Sequence, residues 1–211
     1  LFNMVTRLVA PTAGSIVWFG GDAEGIEIGG WKPHRIASLG IARTFQNIRL
    51  FDDQAAIDNV KVGLHTRLRT GLAGALLRTP AARREERDAE AAALGYLEFV
   101  GLAARAWETA GNLAYGERRR LEIARALAAA PKLLLLDEPA AGLNPRLVAQ
   151  LAELLRELPA LGRTLLLVEH DMGLVRAVSD RVLLLDRGAL VAAGAAEQVF
   201  GSAVLAEVYG V

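Results

Sequence analysis

Apolar and polar segments alternate along the chain in a way that predicts strands and helices in turn. Short β-prone runs occur at 15–19 and 41–45, and more strongly apolar runs occur at Leu133–Asp137 and 164–169. Continuous apolar runs of this length are typical of strands that are buried on both faces. Because helices separate them, we expect parallel pairing through right-handed crossovers. The predicted fold class is α/β, with a small antiparallel hairpin around Asp186-Arg187-Gly188.

Helical periodicity predicts six segments. They are 1–9, which has the pattern of the end of a helix, and then 32–39, 80–100, 116–130, 145–158 and 172–178. Asn144 and Pro145 mark one helix start, because asparagine is a favoured N-cap and proline a favoured first helical residue. Leu151, Leu155 and Leu158 continue that helix as an apolar stripe. The sequence therefore alternates elements in the order that an α/β fold requires.

The composition narrows the class of protein. The 211 residues are 53% hydrophobic and 23% charged, which suits one domain with a sizeable core and excludes a disordered chain. The 24 Lys and Arg residues balance the 24 Asp and Glu residues, so we expect no nucleic acid partner. The absence of cysteine excludes disulfides, thiolate catalysis and cysteine-held metals. No apolar run approaches the roughly 18 residues that suggest a membrane span.

Two carboxylates end the most apolar strand. Asp137 and Glu138 follow four leucines, and ligands of open α/β sheets bind at the carboxyl ends of the strands. The first acid suits Mg²⁺, which takes few carboxylates and keeps several waters. The second suits polarising a water for attack on a phosphoryl group. The alternative is an N-cap and a surface carboxylate at an ordinary strand end.

Two other segments carry weaker signals of the same chemistry. His170 follows the next predicted strand, where it is placed to donate to a phosphate oxygen, although such a histidine is usually a surface or capping residue. Segment 112–127 joins a loop to a helix whose start favours an anion, or it is a plain junction. His34 and His65 lie in polar, loop-like context and receive no role. Three scattered histidines argue against a zinc site.

Five segments occur in the order found in ABC-type ATPases, and the chain resembles that family over nearly its whole length. By this resemblance 112–127 contains the signature motif, 133–139 is Walker B with its catalytic glutamate, 140–145 is the D-loop, 169–171 contains the switch histidine, and Gln46 in Arg43-Thr44-Phe45-Gln46 is the Q-loop glutamine. Asn112-Leu113-Ala114-Tyr115-Gly116 and segment 70–80 are most similar to the ATPase subunits of branched-chain amino acid importers.

The chain also departs from the family pattern. Ala114, Tyr115 and Glu117 replace Ser, the first Gly and Gln of the general Leu-Ser-Gly-Gly-Gln signature, which removes one hydroxyl donor. The P-loop pattern G-x-x-x-x-G-K-[ST] is absent from the sequence. Leu1-Phe2-Asn3-Met4 resembles the helix that follows this loop. We therefore expect a P-loop NTPase-like core that lacks its P-loop, its N-terminal strands and the residue that stacks on adenine, with weak or absent ATPase activity.

For the intact protein, the resemblance implies an ATPase that energises a membrane importer, with ATP and Mg²⁺ bound between two subunits. Glu138 and His170 are the implied catalytic residues, and Gln46 and Asp137 are the implied metal ligands. The implied nucleotide-binding residues are Gln46, Leu113, Ala114, Tyr115, Gly116, Glu117, Asp137 and Asn144. The implied partners are a second ATPase subunit, identical or paralogous, and transmembrane permease subunits that dock at the groove near Gln46. The implied location is peripheral, at the cytoplasmic face of the bacterial inner membrane.

The resemblance also predicts a single ABC ATPase domain in three parts. They are 1–50, the core up to the Q-loop; 51–130, a helical subdomain with the signature; and 131–211, the C-terminal core with Walker B, the D-loop and the switch histidine. Two other functions compete: an ABC ATPase of a lipid or lipopolysaccharide export system, and a non-hydrolysing module that docks on a membrane complex. The residues do not name the transported molecule.

Overall fold

A computed structural model describes residues 1–20, 24–67 and 79–202 of the chain. In these ranges the strands are β1 (Val17–Trp18), β2 (Ile26–Glu27), β3 (Ile41–Arg43), β4 (Leu133–Asp137), β5 (Thr164–Val168), β6 (Val182–Asp186) and β7 (Ala189–Gly194). The α-helices are α1 (Phe2–Val5), α2 (Pro33–Ser38), α3 (Ala56–Leu64), α4 (Pro80–Phe99), α5 (Tyr115–Ala128), α6 (Pro145–Glu157), α7 (Met172–Val178) and α8 (Ala196–Phe200).

A three-stranded parallel sheet in the order β3-β4-β5 is the centre of the fold. Ile41 lies opposite Leu133, and Asp137 lies opposite Val168, so the carboxyl ends of the strands meet at one edge. The middle strand β4 is the most buried, because Leu134, Leu135 and Leu136 are completely covered by neighbouring elements. The α/β class and the parallel pairing predicted from the sequence are confirmed.

Two antiparallel pairs accompany this sheet. The predicted hairpin is confirmed as β6 and β7, and its turn places Arg187 at φ 48° and Gly188 at φ 84°. Positive φ at both turn residues matches the right-handed twist of the strands, which explains why glycine stands at the second position. The β-prone run 15–19 shortens to β1, which pairs with the unpredicted β2.

Several helices differ from the sequence expectation. The segment 1–9 is helical only over α1, and α3 and α8 were not predicted. Helix α3 contains Val62 and Gly63, residues with weak intrinsic helix preference, so tertiary packing rather than propensity stabilises it. His34 lies in α2 and His65 in a 3₁₀ turn, not in loops. Most of segment 70–80 falls outside the described residues.

Helices α3, α4 and α5 pack together beside the sheet. Their shared core includes Ile57, Leu97 and Leu121, all fully buried, and it is continuous with Leu134 and Leu136 of β4. The three-part division at 50 and 130 remains a prediction. None of the helices in the described residues is both long and apolar enough to cross a membrane.

Glycine makes the closest approach between α3 and α5 possible. A Cβ added at Gly63 would lie 2.1 Å from the carbonyl oxygen of Arg125, a backbone atom that cannot swing away. By contrast, a Cβ at Gly95 of α4 would meet nothing within 4 Å. The absence of a side chain at Gly63 therefore sets the distance between two helices of the core.

The two glycines provide a matched pair of substitutions. We expect Gly63→Ala to lower the free energy of unfolding by about 1–3 kcal/mol, because the helices must separate to admit the methyl group. Gly95→Ala should instead raise it by about 0.4–1 kcal/mol, because alanine restricts the unfolded chain and favours the helix. Urea unfolding followed by circular dichroism measures both. Equal effects of the two substitutions would contradict the close approach of α3 and α5.

Candidate functional site

Gln46 and Glu138 meet at the carboxyl edge of the parallel sheet. Gln46 Nε2 donates to Glu138 Oε2 at 3.1 Å, although 92 residues separate the two. Glu138 follows β4 directly and adopts a left-handed backbone with φ 45°, which costs about 1–3 kcal/mol in a residue other than glycine. Its N–H donates to the carbonyl oxygen of Val168 at 2.9 Å, which holds the turn against β5. The structure thus brings two of the predicted site residues together.

Asp137, the last residue of β4, is paired with an arginine from the adjacent strand. Its Oδ2 accepts from Arg43 Nη2 at 2.7 Å, and Arg43 Nη1 also donates to Asn3 Oδ1 at 2.7 Å. The Arg43 guanidinium lies 5.2 Å from the centre of the Phe45 ring. One carboxylate oxygen of Asp137 is therefore engaged, while Oδ1 takes no hydrogen bond from the described residues.

The predicted switch histidine lies at the end of β5. The His170 side chain is 69% exposed, whereas the side chain of Glu169 just before it is completely buried. Glu169 accepts from the backbone N–H groups of Ala140, His170 and Asp171 at 2.8, 3.0 and 3.2 Å. His170 is thus exposed to solvent on the loop after β5, and the buried carboxylate of Glu169 holds the backbone of that loop in place.

A buried ion pair on α5 holds the segment that carries Gln46. Arg119 Nη1 lies 2.9 Å from Glu122 Oε2, and the two side chains are 0% and 1% exposed. Arg119 also donates to the carbonyl oxygens of Phe45 and Gln46 at 2.8 and 3.0 Å. Glu122 Oε1 accepts from the Phe45 N–H at 3.3 Å. Because both charges have hydrogen-bonding partners, the pair is tolerated in the interior and fixes the loop to the helix.

Glu122 also acts on a second arginine of the same helix. Burial lowers the pKa of the Arg125 guanidinium from its ordinary value, and the nearby negative charge of Glu122 raises it in part. The guanidinium lies 6.0 Å from the centre of the Phe51 ring, within cation–π distance. Helix α5 therefore carries a charged, partly desolvated face towards the loop that follows β3.

The signature-like segment starts α5. Leu113 and Gly116 are buried, whereas Ala114 and Tyr115 are exposed. Glu117 Oε2 accepts from the Ala114 N–H at 3.0 Å, so the glutamate at this departure from the general motif satisfies one N-terminal amide of the helix. Alanine at the N-cap supplies no side-chain acceptor for the others.

This segment packs against the loop after β4 in the same chain. A Cβ at Gly142 would come within 3.2 Å of the Tyr115 ring, and one at Gly116 would come within 2.9 Å of Leu147. Asn144 Oδ1 accepts from the Leu147 N–H at 3.0 Å, which confirms Asn144 as the N-cap of α6. Contact of Asn144 with a nucleotide remains a prediction.

Two clefts open beside these elements. One, of about 410 Å³, is lined by Gln46, Asn47, Ile48, Leu113, Tyr115 and Arg118. The other, of about 700 Å³, is lined by Asp53, Gln54, Ala55, Asp58, Lys61, Val62 and His65. The first cleft joins the Gln46 loop to the start of α5, the two segments that the Arg119–Glu122 pair also links.

The sequence predicts the polar residues at the strand ends, but it does not predict the buried charged side chains that hold their loops in place. Arg119 and Glu122 carry a usable signal, because their spacing places charges on the same helical face as the apolar Ile123 and Leu127. Nothing in the sequence marks Glu169, which looks like any polar residue at a strand end. Its role follows from the tertiary approach of the loop after β4.

A sequence profile described as ABC transporter matches residues 1–141, about two thirds of the chain. The chain belongs to the ABC transporter ATP-binding family. The match includes the strand β4, its two acids and the signature-like segment.

Individual relatives agree with this assignment. The chain is 44% identical over 200 residues to BraF of Pseudomonas aeruginosa and to LivG of Escherichia coli K12, both named high-affinity branched-chain amino acid transport ATP-binding proteins. Each alignment covers 94% of this chain and 76% of the relative. The ADP conformation of MJ1267, an ATP-binding cassette of an ABC transporter, has a TM-score of 0.80 at 27% identity and covers 99% of this chain and 81% of that one.

Substitution of the buried pair tests what holds the Gln46 segment. We expect Arg119→Met to lower the free energy of unfolding by about 3–5 kcal/mol, because Glu122 is left buried without its cation. The double variant Arg119→Met/Glu122→Met should recover most of this loss, since apolar side chains of similar volume replace both charges. Chemical denaturation measures all three proteins.

The neighbouring Arg118 supplies the control. Its pair with Asp52, at 2.6 Å, is partly exposed, so Arg118→Met should change the free energy of unfolding by at most about 1 kcal/mol. If Arg119→Met were as mild as Arg118→Met, Glu122 would have access to solvent or another cation, contrary to its burial.

Proposed function

We propose that this chain, when combined with a P-loop, is the ATP-binding and ATP-hydrolysing subunit that energises a membrane importer of branched-chain amino acids, and that the 211 residues alone are weakly active or inactive. One observation carries the proposal: the contact between Gln46 and Glu138 beside Asp137, at the carboxyl edge of an ABC-family sheet. Identity of 44% to BraF and LivG supports the substrate class. Export of lipid or lipopolysaccharide and a non-hydrolysing docking module have no comparable support.

In this proposal, the residues at the carboxyl edge of the sheet have different roles in ATP hydrolysis. Glu138, held in a strained backbone next to Gln46, is positioned to orient and polarise the attacking water. His170 is exposed at the neighbouring strand end, where it is free to contact the γ-phosphate. Arg43 compensates the charge of Asp137 and keeps its side chain at the strand end. Together these groups suit phosphoryl transfer, in which positioning and charge supply most of the catalysis.

The donor chemistry of the edge fits Mg²⁺. Asp137 Oδ1 and the side-chain oxygen of Gln46 are hard oxygen donors, which Mg²⁺ prefers. The described residues contain no cluster of three or more His, Cys, Asp and Glu side chains that would hold a metal by themselves. Such a site suits Mg²⁺, because this ion keeps several of its waters and is also coordinated by the phosphates of a nucleotide. When bound, the ion would neutralise part of the negative charge of those phosphates.

A second ATPase subunit completes the site in this proposal. Tyr115 lies against Gly142 of the loop after β4, and Gly116 lies against Leu147 of α6, both in their own chain. Residues 113–117 make no hydrogen bond to Glu138 or His170 within the described part of the chain. We therefore assign them to the nucleotide of a partner subunit that faces this one head to tail. Nucleotide held between two such surfaces converts binding energy into closure of the dimer.

The permease subunits dock at the cleft of about 410 Å³ between Gln46 and Arg118. Its lining combines the half-buried Ile48 with exposed polar groups, and it adjoins the catalytic edge through Gln46. Movement there is transmitted to Glu138 by the shared hydrogen bond. Docking in this way places the chain peripherally at the cytoplasmic face of the bacterial inner membrane.

Calorimetry with Mg-ATP tests the nucleotide site. Because no G-x-x-x-x-G-K-[ST] loop occurs in these 211 residues, we expect weak or undetectable binding and hydrolysis by the chain alone. A chain with a P-loop and its strand grafted ahead of Leu1 should bind. Glu138→Gln in the grafted chain should preserve binding and lower kcat by about 10²–10⁴-fold, because the general base is lost.

Both outcomes of that comparison are informative. If the ungrafted chain bound Mg-ATP as tightly as the grafted one, another element would cradle the phosphates and the assignment of this site would be wrong. Hydrolysis at ordinary rates by the ungrafted chain, abolished by Glu138→Gln, would contradict the expected loss of activity.

Co-purification tests the docking cleft. Ile48→Glu should reduce recovery of the permease subunits by placing a charge in the interface, while the Mg-ATP affinity of the grafted chain stays unchanged. Leu190→Glu, an equally polar change at an exposed position on β7, is the control and should recover permease normally. Normal recovery with Ile48→Glu would place the docking surface elsewhere.

A further inference from the structure

Glu169 is a buried carboxylate without a cation beside it. Its side chain is 0% exposed, and in the described part of the chain no Lys or Arg lies within 4.0 Å of it. Nδ1 of His170 lies 3.9 Å from Glu169 Oε2, and that imidazole is mostly exposed. A charge in this position must be stabilised by hydrogen bonds from its surroundings.

Three backbone amides provide that stabilisation. Glu169 Oε1 accepts from the Ala140 N–H at 2.8 Å, across 29 residues of sequence. Glu169 Oε2 accepts from the N–H groups of His170 and Asp171 at 3.0 and 3.2 Å. Both carboxylate oxygens are thus occupied, each by a different loop. The two loops are the ones that present Glu138 and His170.

A second bond makes the connection rigid. The Glu138 N–H donates to the carbonyl oxygen of Val168, the residue just before Glu169, at 2.9 Å. The loop after β4 is therefore tied to the end of β5 on both sides of Pro139. Since Glu138 is held at φ 45°, this loop needs external contacts to stay in its conformation.

We propose that Glu169 is a positioning residue for the hydrolysis reaction: its carboxylate sets the geometry of the Glu138 turn relative to His170. The inference rests on the proposed ATPase function. Glu169 touches neither nucleotide nor water in this scheme and acts only through the two loops. Its charge matters because an acceptor-only group is required where three N–H donors converge.

Glutamine is the sharpest substitution, because it matches glutamate in size. The glutamine side chain has one acceptor oxygen and one NH₂ group. Either the Ala140 N–H or the N–H groups of His170 and Asp171 must therefore face this NH₂, which is a donor and cannot accept from them. Aspartate keeps the charge but is one methylene shorter. We expect Glu169→Asp to hold the amides of its own loop and to lose the more distant Ala140.

Hydrogen exchange on the chain alone tests the tie without any nucleotide. Glu169→Gln should speed exchange about tenfold or more at Ala140 or at His170 and Asp171, with the β5 amides within about twofold of wild type. Glu169→Asp should speed exchange at Ala140 alone. Glu153→Gln, the same change on the exposed face of α6, should alter none of them. Unchanged exchange in both Glu169 variants, or acceleration spread over all of β5, would overturn the proposal.

Kinetics of a transporter assembly that contains the chain with the grafted P-loop test the catalytic consequence. Glu169→Gln should lower kcat roughly 10- to 100-fold with KM for Mg-ATP within about threefold, since misplaced groups slow the reaction more than they weaken binding. Combined with His170→Ala, it should cost less than the product of the two single losses. A normal kcat despite faster local exchange would overturn the positioning role. If the assembly with the grafted but otherwise unchanged chain were inactive, the proposed ATPase function would be refuted instead, and exchange alone would then decide the structural tie.

Discussion

Burial of β4 between two parallel neighbours is the constraint on which the rest of the structure depends. Leu134, Leu135 and Leu136 have no exposed surface, so the strand can occupy only the middle of the sheet. Both β3 and β5 then pair with β4 in parallel, each in a single register. The polar residues that follow the three strands must consequently meet at a single edge, which is the edge where ligands of open α/β sheets bind.

The edge alone does not fix the loops that leave it; buried charges do. The Arg119–Glu122 pair binds the backbone around Gln46 to α5, and Glu169 binds the turn after Glu138 to the end of β5. Each of these groups is desolvated and hydrogen-bonded to backbone, so each is costly to move. The fold therefore supports its candidate catalytic groups with polar contacts that are themselves rigid.

Helix α5 connects this edge to the rest of the protein. Its start carries the signature-like residues, its middle holds the Gln46 loop, and its packing against Gly63 sets the position of α3. A displacement of α3 would reach α5 through the close backbone approach at Gly63, and it would reach Gln46 through the buried Arg119 side chain. This arrangement is consistent with the proposal that the cleft beside Gln46 is linked to the candidate site at the sheet edge.

The sequence by itself determined the class of fold, the central strands and the acids at their ends, because a continuous apolar run bounded by carboxylates has few possible placements in a sheet. It also located Asn144 as a helix cap and Gly188 in a hairpin turn, since both depend on local backbone geometry. Only the tertiary structure decided the contact of Gln46 with Glu138 and the roles of Arg119 and Glu169. Those depend on segments 29 to 92 residues apart, and local patterns carry no record of which distant amides a buried charge will meet.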